Sequence, residues 1–193
     1  MIYIDDMACI SAQPTFSNAL FEGDIRIQTD LKCYAVEPDF KDLIPSNLLR
    51  RMGKAVRMGV GAGFSLIKRN DHLNGIILAT ANGGLEDCLK FLNQIVDYKE
   101  GTLTPTNFVQ STPNAVAGNL ALISKNIGYN ITHVHQGAAF ENAILDVMML
   151  CEAQDGAKYL LGTVDEISDY NFNINKLNKH FKVEPVDSFN LLE

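Results

Sequence analysis

The sequence predicts an α/β fold in which a mixed, mainly parallel sheet carries a buried helix. Three observations point there. Tyr129–Glu166 reads as a short strand, a sharp turn, a nearly all-apolar helix and a second buried strand. Leu73–Thr80 (LNGIILAT) is an apolar strand that Asn82-Gly83-Gly84 turns into a helix over Leu85–Asp97. With 193 residues and 47% hydrophobic content, the chain has enough apolar material for one sizeable core.

Taken in order, Met1–Asp5 (MIYID) reads as an opening strand, followed by a polar, proline-containing loop through Gly23. Asp24–Val36 alternates loosely, as one or two short strands would, until Glu37-Pro38-Asp39-Phe40 turns the chain. Pro45-Ser46-Asn47 opens a helix to about Lys68, with Leu48, Leu49, Met52, Val56, Val60 and Phe64 on its inward stripe. Gly53, Gly59, Gly61 and Gly63 each cost that helix about 1 kcal/mol relative to alanine, so close packing against a neighbour is expected to compensate. In the next helix Leu85, Leu89, Leu92 and Val96 recur at helical spacing. Its first-turn acids Glu86 and Asp87 complement the helix dipole and would repel an anion, so the Gly-Gly turn is not a phosphate cradle.

Residues 102–110 read as a loop. Thr112 then offers an N-cap, with Pro113 at the first position of a helix over Pro113–Lys125 that buries Val116, Leu120 and Ile123. Gly128 stands where a left-handed stop is expected. Alternation in Tyr129–Gln136 puts Tyr129, Ile131, His133 and His135 on one face, with Asn130, Thr132, Val134 and Gln136 on the other. The turn Gln136-Gly137-Ala138-Ala139 leads into a helix over Ala139–Glu152 that is apolar almost all round, and Ala157–Gly162 forms a strand parallel to the first. After Glu166 the composition becomes asparagine-rich. Residues 1–166 therefore read as one domain and 167–193 as an irregular tail that wraps the domain or a partner.

A net charge of −7 argues against a general nucleic-acid binder, which needs basic surface to displace counterions. The start, MIYIDDMACISAQ, has no basic n-region or long apolar core, so no signal peptide is expected; no stretch approaches the roughly 18 apolar residues of a membrane span, and the predicted location is cytoplasmic. Cys9, Cys33, Cys88 and Cys151 are irregularly spaced and read as free thiols. His133 and His135 point the same way, but two ligands do not make a metal site; a packing or hydrogen-bonding role is expected, with no metal and no cofactor.

The order of these motifs resembles a known family. STPNAVAGNLALISKNIGYN, then HVHQGAAFENAI, then a strand ending GTVDE, is similar to the N-terminal half of the β-ketoacyl synthases, the thiolase-like condensing enzymes of fatty-acid and polyketide synthesis. That family shows S-N-x-x-A-G, a short helix, Gly, a strand ending in a nucleophilic cysteine, a buried helix, and a strand closing in G-x-x-E. LRRMGKAVRMGVGAGFSL and ATANGGLED extend the resemblance over most of residues 1–167. The small ketosynthase-like proteins of aryl polyene, flexirubin and dialkylresorcinol clusters are the nearest in character. The resemblance implies one half of the thiolase-like fold.

The departures shape the functional expectation. Counting from Gly118 and Gly128 puts the family's cysteine position at Gly137, and counting from the His-Gln-Gly turn puts it at Gln136; neither is a cysteine. The family's further catalytic residues, two histidines or a histidine and an asparagine, come from a C-terminal half that these residues do not include. The resemblance therefore implies a non-catalytic, chain-length-factor-like partner that pairs with a cysteine-containing ketosynthase, with no condensing activity alone. Asn114, His133, His135, Gln136, Gly137 and Phe140 are expected at the shared tunnel and interface. Arg50, Lys54 and Arg57, at i, i+4 and i+7 with Arg51 beside them, read either as a solvated face or as a docking stripe for an acidic acyl carrier protein. Two other readings stand: a Gln-type malonyl-carrier-protein decarboxylase, in which the amide would hydrogen-bond an enolate oxygen, and a homo-oligomeric acyl- or carrier-binding module.

Overall fold

The computed structural model describes residues 2–16, 27, 30–70, 72–99, 101, 103–178 and 180. Among them a three-stranded sheet in the order β2-β1-β3 pairs Gly75–Thr80 (β1) with Tyr129–Val134 (β2) on one side and Tyr159–Thr163 (β3) on the other, both parallel. Every residue of β1 is buried, the expected state of a central parallel strand covered on both faces.

Alternation along β1 sorts the core into two halves. Ile76 and Leu78 face one side, where they meet Val56 and Val60 of α2 (Lys54–Arg69) and Val116, Ala117 and Leu120 of α5 (Ala115–Ser124). Ile77 and Ala79 face the other, against Ala139 and Ala143 of α6 (Ala139–Ala153), with Ile131, Val147 and Leu161 around them. A period of two in the strand thus places α2 and α5 on one face and α6 alone on the other.

The glycines of α2 are spacing elements. A Cβ on Gly61 would lie 2.3 Å from the Phe40 ring, one on Gly63 2.8 Å from Leu120 Cδ1, and one on Gly59 2.8 Å from Val164 Cγ2. Close approach of these neighbours offsets the propensity cost, as the sequence predicts.

Several expectations are corrected. Ile2–Asp5 is not a strand; Asp5 and Asp6 are drawn instead into ion pairs with Lys158 (2.7 Å) and Arg69 (2.8 Å). In the segment 24–36, residues 24–26, 28 and 29 lie outside the described residues, and 30–36 form no strand. The helix read as continuous from Pro45 to Lys68 is broken into α1 (Ser46–Leu49) and α2, because Gly53 is extended (φ −61°, ψ 166°) and begins a new helix as its N-cap. The loop read over 102–110 contains α4 (Pro105–Gln110), which starts on the Thr-Pro signal expected one segment later. At that later signal, Thr112 and Pro113 only turn the chain, and α5 begins after Asn114. Lys125 (φ 56°), not Gly128, is the left-handed residue ending α5; Gly128 is needed because a Cβ there would lie 2.1 Å from the Asn74 carbonyl oxygen. α3 runs Leu85–Asp97 as predicted.

The stretch read as an irregular tail contains α7 (Asp169–Leu177), capped by Ser168, whose Oγ accepts from the Asn171 N–H at 3.1 Å. Asp169 and the Phe172 ring together hold the Lys32 ammonium. Residues 179 and 181–193 of that stretch lie outside the described residues.

Candidate functional site

β2 ends at Val134, beside the C-terminal end of β1, where the His135 N–H donates to the Thr80 carbonyl at 3.3 Å. A single 3₁₀ turn over Gln136–Ala138 then hands the chain to α6, closed by Ala138 N–H on the His135 carbonyl at 2.8 Å. Gln136 and Gly137 both face outward, and a Cβ on Gly137 would meet nothing within 4 Å. The turn therefore presents a site at the positive end of a 15-residue helix with open space in front of it.

No thiol stands there. Cys9 and Cys33 are exposed residues far upstream of the turn, Cys88 is on the first turn of α3, and Cys151 is in the last turn of α6, roughly 20 Å along the helix axis from Gln136. An acyl thioester needs a thiolate at the turn, and an amide side chain or a hydrogen cannot replace it.

The two faces of β2 are tied to different helices. On the α6 face, Asp146 Oδ2 takes the Tyr129 hydroxyl at 3.1 Å and lies 3.0 Å from His133 Nε2. Burial first, and then the Asp146 carboxylate, push the Tyr129 phenol above its ordinary value. On the α5 face, Thr132 donates to Asn114 Oδ1 at 2.9 Å and the Asn130 amide donates to the Ala117 carbonyl at 3.1 Å. His133 and Asn114 are therefore on opposite sides of the strand, and the structure does not bring them together. His133 has the hydrogen-bonding role expected of it. Among the described residues no group of three or more His, Cys, Asp or Glu side chains is placed to hold a metal ion.

Asp146 is the residue that sequence reasoning missed. Its signal was a carboxylate inside an otherwise apolar helix, opposite Tyr129 and His133 at i and i+4 on one strand face.

Exposed apolar side chains stand near the turn and along α6, interspersed with the exposed Gln136, Glu141 and Asn142. Phe140 is 42% exposed, Val134 47%, Leu145 56%, Met148 42% and Met149 70%. Ala139 and Ala143 of α6 are buried against the sheet with Val147 and Leu150 packed beside them, while Leu145, Met148 and Met149 lie on its exposed side. The cationic group is less uniform than its spacing suggests. Arg50 and Arg51 are exposed in the break before α2, and Lys54 starts α2 with its ammonium 5.8 Å from the Tyr34 ring centre. Arg57 is committed to Glu37, donating from Nη2 at 2.9 Å and from Nε to the other oxygen; the guanidinium holds that carboxyl below its usual range.

Comparison with curated proteins gives no match. Among solved structures, the chain is similar to one in a complex of a ketosynthase (ApeO) with its chain length factor (ApeC) from Xenorhabdus doucetiae. The TM-score is 0.70 at 21% identity, covering 89% of this chain and 71% of that one. At that identity the likeness establishes a shared fold, one half of the thiolase-like condensing-enzyme architecture. Among the described residues, no helix is long and apolar enough to cross a membrane. The family model for the β-ketoacyl synthase N-terminal domain matches residues 12–182, and the chain, with its strand, turn and helix in the order that family requires, belongs to it.

Proposed function

We propose that this protein is a non-catalytic, chain-length-factor-like partner of a cysteine-containing β-ketoacyl-carrier-protein synthase, in polyketide or fatty-acid-type synthesis of the aryl polyene or flexirubin kind. The observation that carries this is the turn itself: Gln136 and Gly137 occupy the open position before α6, while the helix behind them retains an exposed apolar face. A condensing enzyme needs a nucleophile at that place, whereas a partner that lines or caps another subunit's acyl tunnel needs only shape and apolar surface. Phe140, at the first turn of α6, is the side chain placed to shape such a tunnel mouth. Arg50, Arg51 and Lys54 are the cations open to an acidic carrier protein, with Arg57 held by Glu37.

Co-expression with a cysteine-containing ketosynthase tests the reading. A stable heterodimer is expected, with carbon–carbon bond formation only when both chains are present. The purified chain alone should carry no acyl group after incubation with acyl carrier protein and should not be labelled by cerulenin. An acyl adduct by intact mass that disappears on changing one of Cys9, Cys33, Cys88 or Cys151 to serine would overturn the proposal.

A further inference from the structure

Helix α7 is turned inside out. Helical spacing puts Tyr170, Ile174 and Leu177 on one stripe, at i, i+4 and i+7, and all three are more than half exposed, as is Ile167 just before the cap. The side that meets the rest of the chain is formed by Ser168, Asn171, Phe172 and Asn175, buried or half-buried, and of these only Phe172 is apolar. A helix held by an apolar core shows the reverse arrangement. The attachment here is a clasp: Ser168 Oγ accepts from the Asn171 N–H, and Asp169 and the Phe172 ring hold the Lys32 ammonium. That clasp fixes which way the helix faces, and its apolar stripe is left exposed among the described residues.

Charge and spacing say what such a stripe fits. A net charge of −7 opposes the approach of two copies in general, so local charge decides where they can meet. The only charged side chains of α7 are Asp169, which is paired with Lys32, and Lys176. Asn173 flanks the stripe on one side and Asn178 on the other, both exposed. An amide both donates and accepts, so each can pair with an amide of a second copy. The stripe also fits itself. With a spacing of four and then three, a two-fold axis brings Ile174 onto its own counterpart and sets Tyr170 opposite Leu177, with the two helix dipoles opposed.

We propose that the outer stripe of α7 is a docking surface for a second copy of this chain, the two helices packing antiparallel across a two-fold axis at Ile174. Its four large side chains present roughly 400 Å² of apolar surface, a patch of the size that is often functional on a single chain. That is about half of the roughly 800 Å² per partner buried in a stable complex, so the pairing is weak, with a dissociation constant on the order of 0.1 mM. It does not use α6, and so leaves that face open to a different partner while holding two copies in one assembly.

The test is analytical ultracentrifugation of the full chain from about 5 µM to about 500 µM, a range that spans that constant. Whatever the state at the low end, the weight-average mass should rise by at least about half across the range. Ile174→Glu and Ile174→Lys each place like charges on the axis, and each should remove the rise with circular dichroism unchanged. An equimolar mixture of the two variants should regain it, because glutamate then faces lysine. A wild-type mass that does not change with concentration would overturn the proposal, as would a rise that survives both substitutions or a mixture that stays apart. A melting temperature lowered by Ile174→Glu at about 5 µM, with no rise in the wild-type mass, would assign the stripe to residues 181–193 of the same chain and overturn it equally.

Discussion

Asp146 shows how much one carboxylate does in this fold, since both the Tyr129 hydroxyl and the His133 ring converge on its Oδ2. The three side chains clasp β2 to α6 along the length of the strand. Asp146→Ala leaves the half-buried His133 ring and the exposed Tyr129 hydroxyl without their acceptor, and a loss of about 0.5–1.5 kcal/mol is expected in urea unfolding. A double-mutant cycle with His133→Ala should give a coupling of at least about 0.5 kcal/mol; additivity would show that the histidine only packs there. Glu166 makes a pH-dependent contribution of the opposite kind to an ion-paired acid. Its folded value is raised above the ordinary 4.5, so its contribution is full below the unfolded value and is lost as pH rises through the folded one. Glu166→Gln should therefore be more stable than wild type at about pH 8, with the gap closing below about pH 4. A gap that does not change with pH would place the effect elsewhere.

At the scale of elements, α2 is the helix whose sequence looks least suited to being one. Its glycines reduce propensity, yet each marks a place where a neighbour has closed in, most tightly Phe40 over Gly61. Gly61→Ala should gain about 1 kcal/mol of helix propensity and lose more to the displaced ring, for a net destabilisation of about 1–3 kcal/mol in chemical denaturation. A stabilised variant would mean that the Phe40 ring moves freely. Helical periodicity made α3 legible, while β1 and α6 were legible as apolar runs bounded by turn residues. Local chemistry was less reliable. The Thr-Pro pair at 104–105 and the Ser-Asp pair at 168–169 both begin helices, while Thr112-Pro113 does not, because capping signals are worth little until packing selects among them. The asparagine-rich composition after Glu166 obscured α7, which is held by its Ser168 cap and by the grip of Asp169 and Phe172 on Lys32.

For the whole molecule, the decisive surface is the outer side of α6. Leu145, Met148, Met149, Phe140 and Val134 are each more than 40% exposed, and among the described residues β2 is an edge strand in the sheet order β2-β1-β3. A few hundred Å² of such surface left in water forgoes on the order of 5–10 kcal/mol, comparable with the stability of a whole domain. The chain expressed alone should therefore self-associate at micromolar concentration by light scattering, and Leu145→Glu with Met149→Glu should shift it toward 21.3 kDa with its circular dichroism unchanged. A monodisperse wild-type monomer that binds no hydrophobic dye would remove the physical basis of the partner argument. By itself the sequence determined the class of fold, the order of its main elements and the absence of a thiol at the turn, because these depend on periodicity and residue identity. Only the tertiary structure decided that Asp146 gathers Tyr129 and His133, that Glu37 claims Arg57, and that Gln110 and Glu166 line one cleft. Those residues lie 13 to 56 positions apart, and no local pattern encodes which distant neighbour a polar side chain will meet once the sheet and helices have packed.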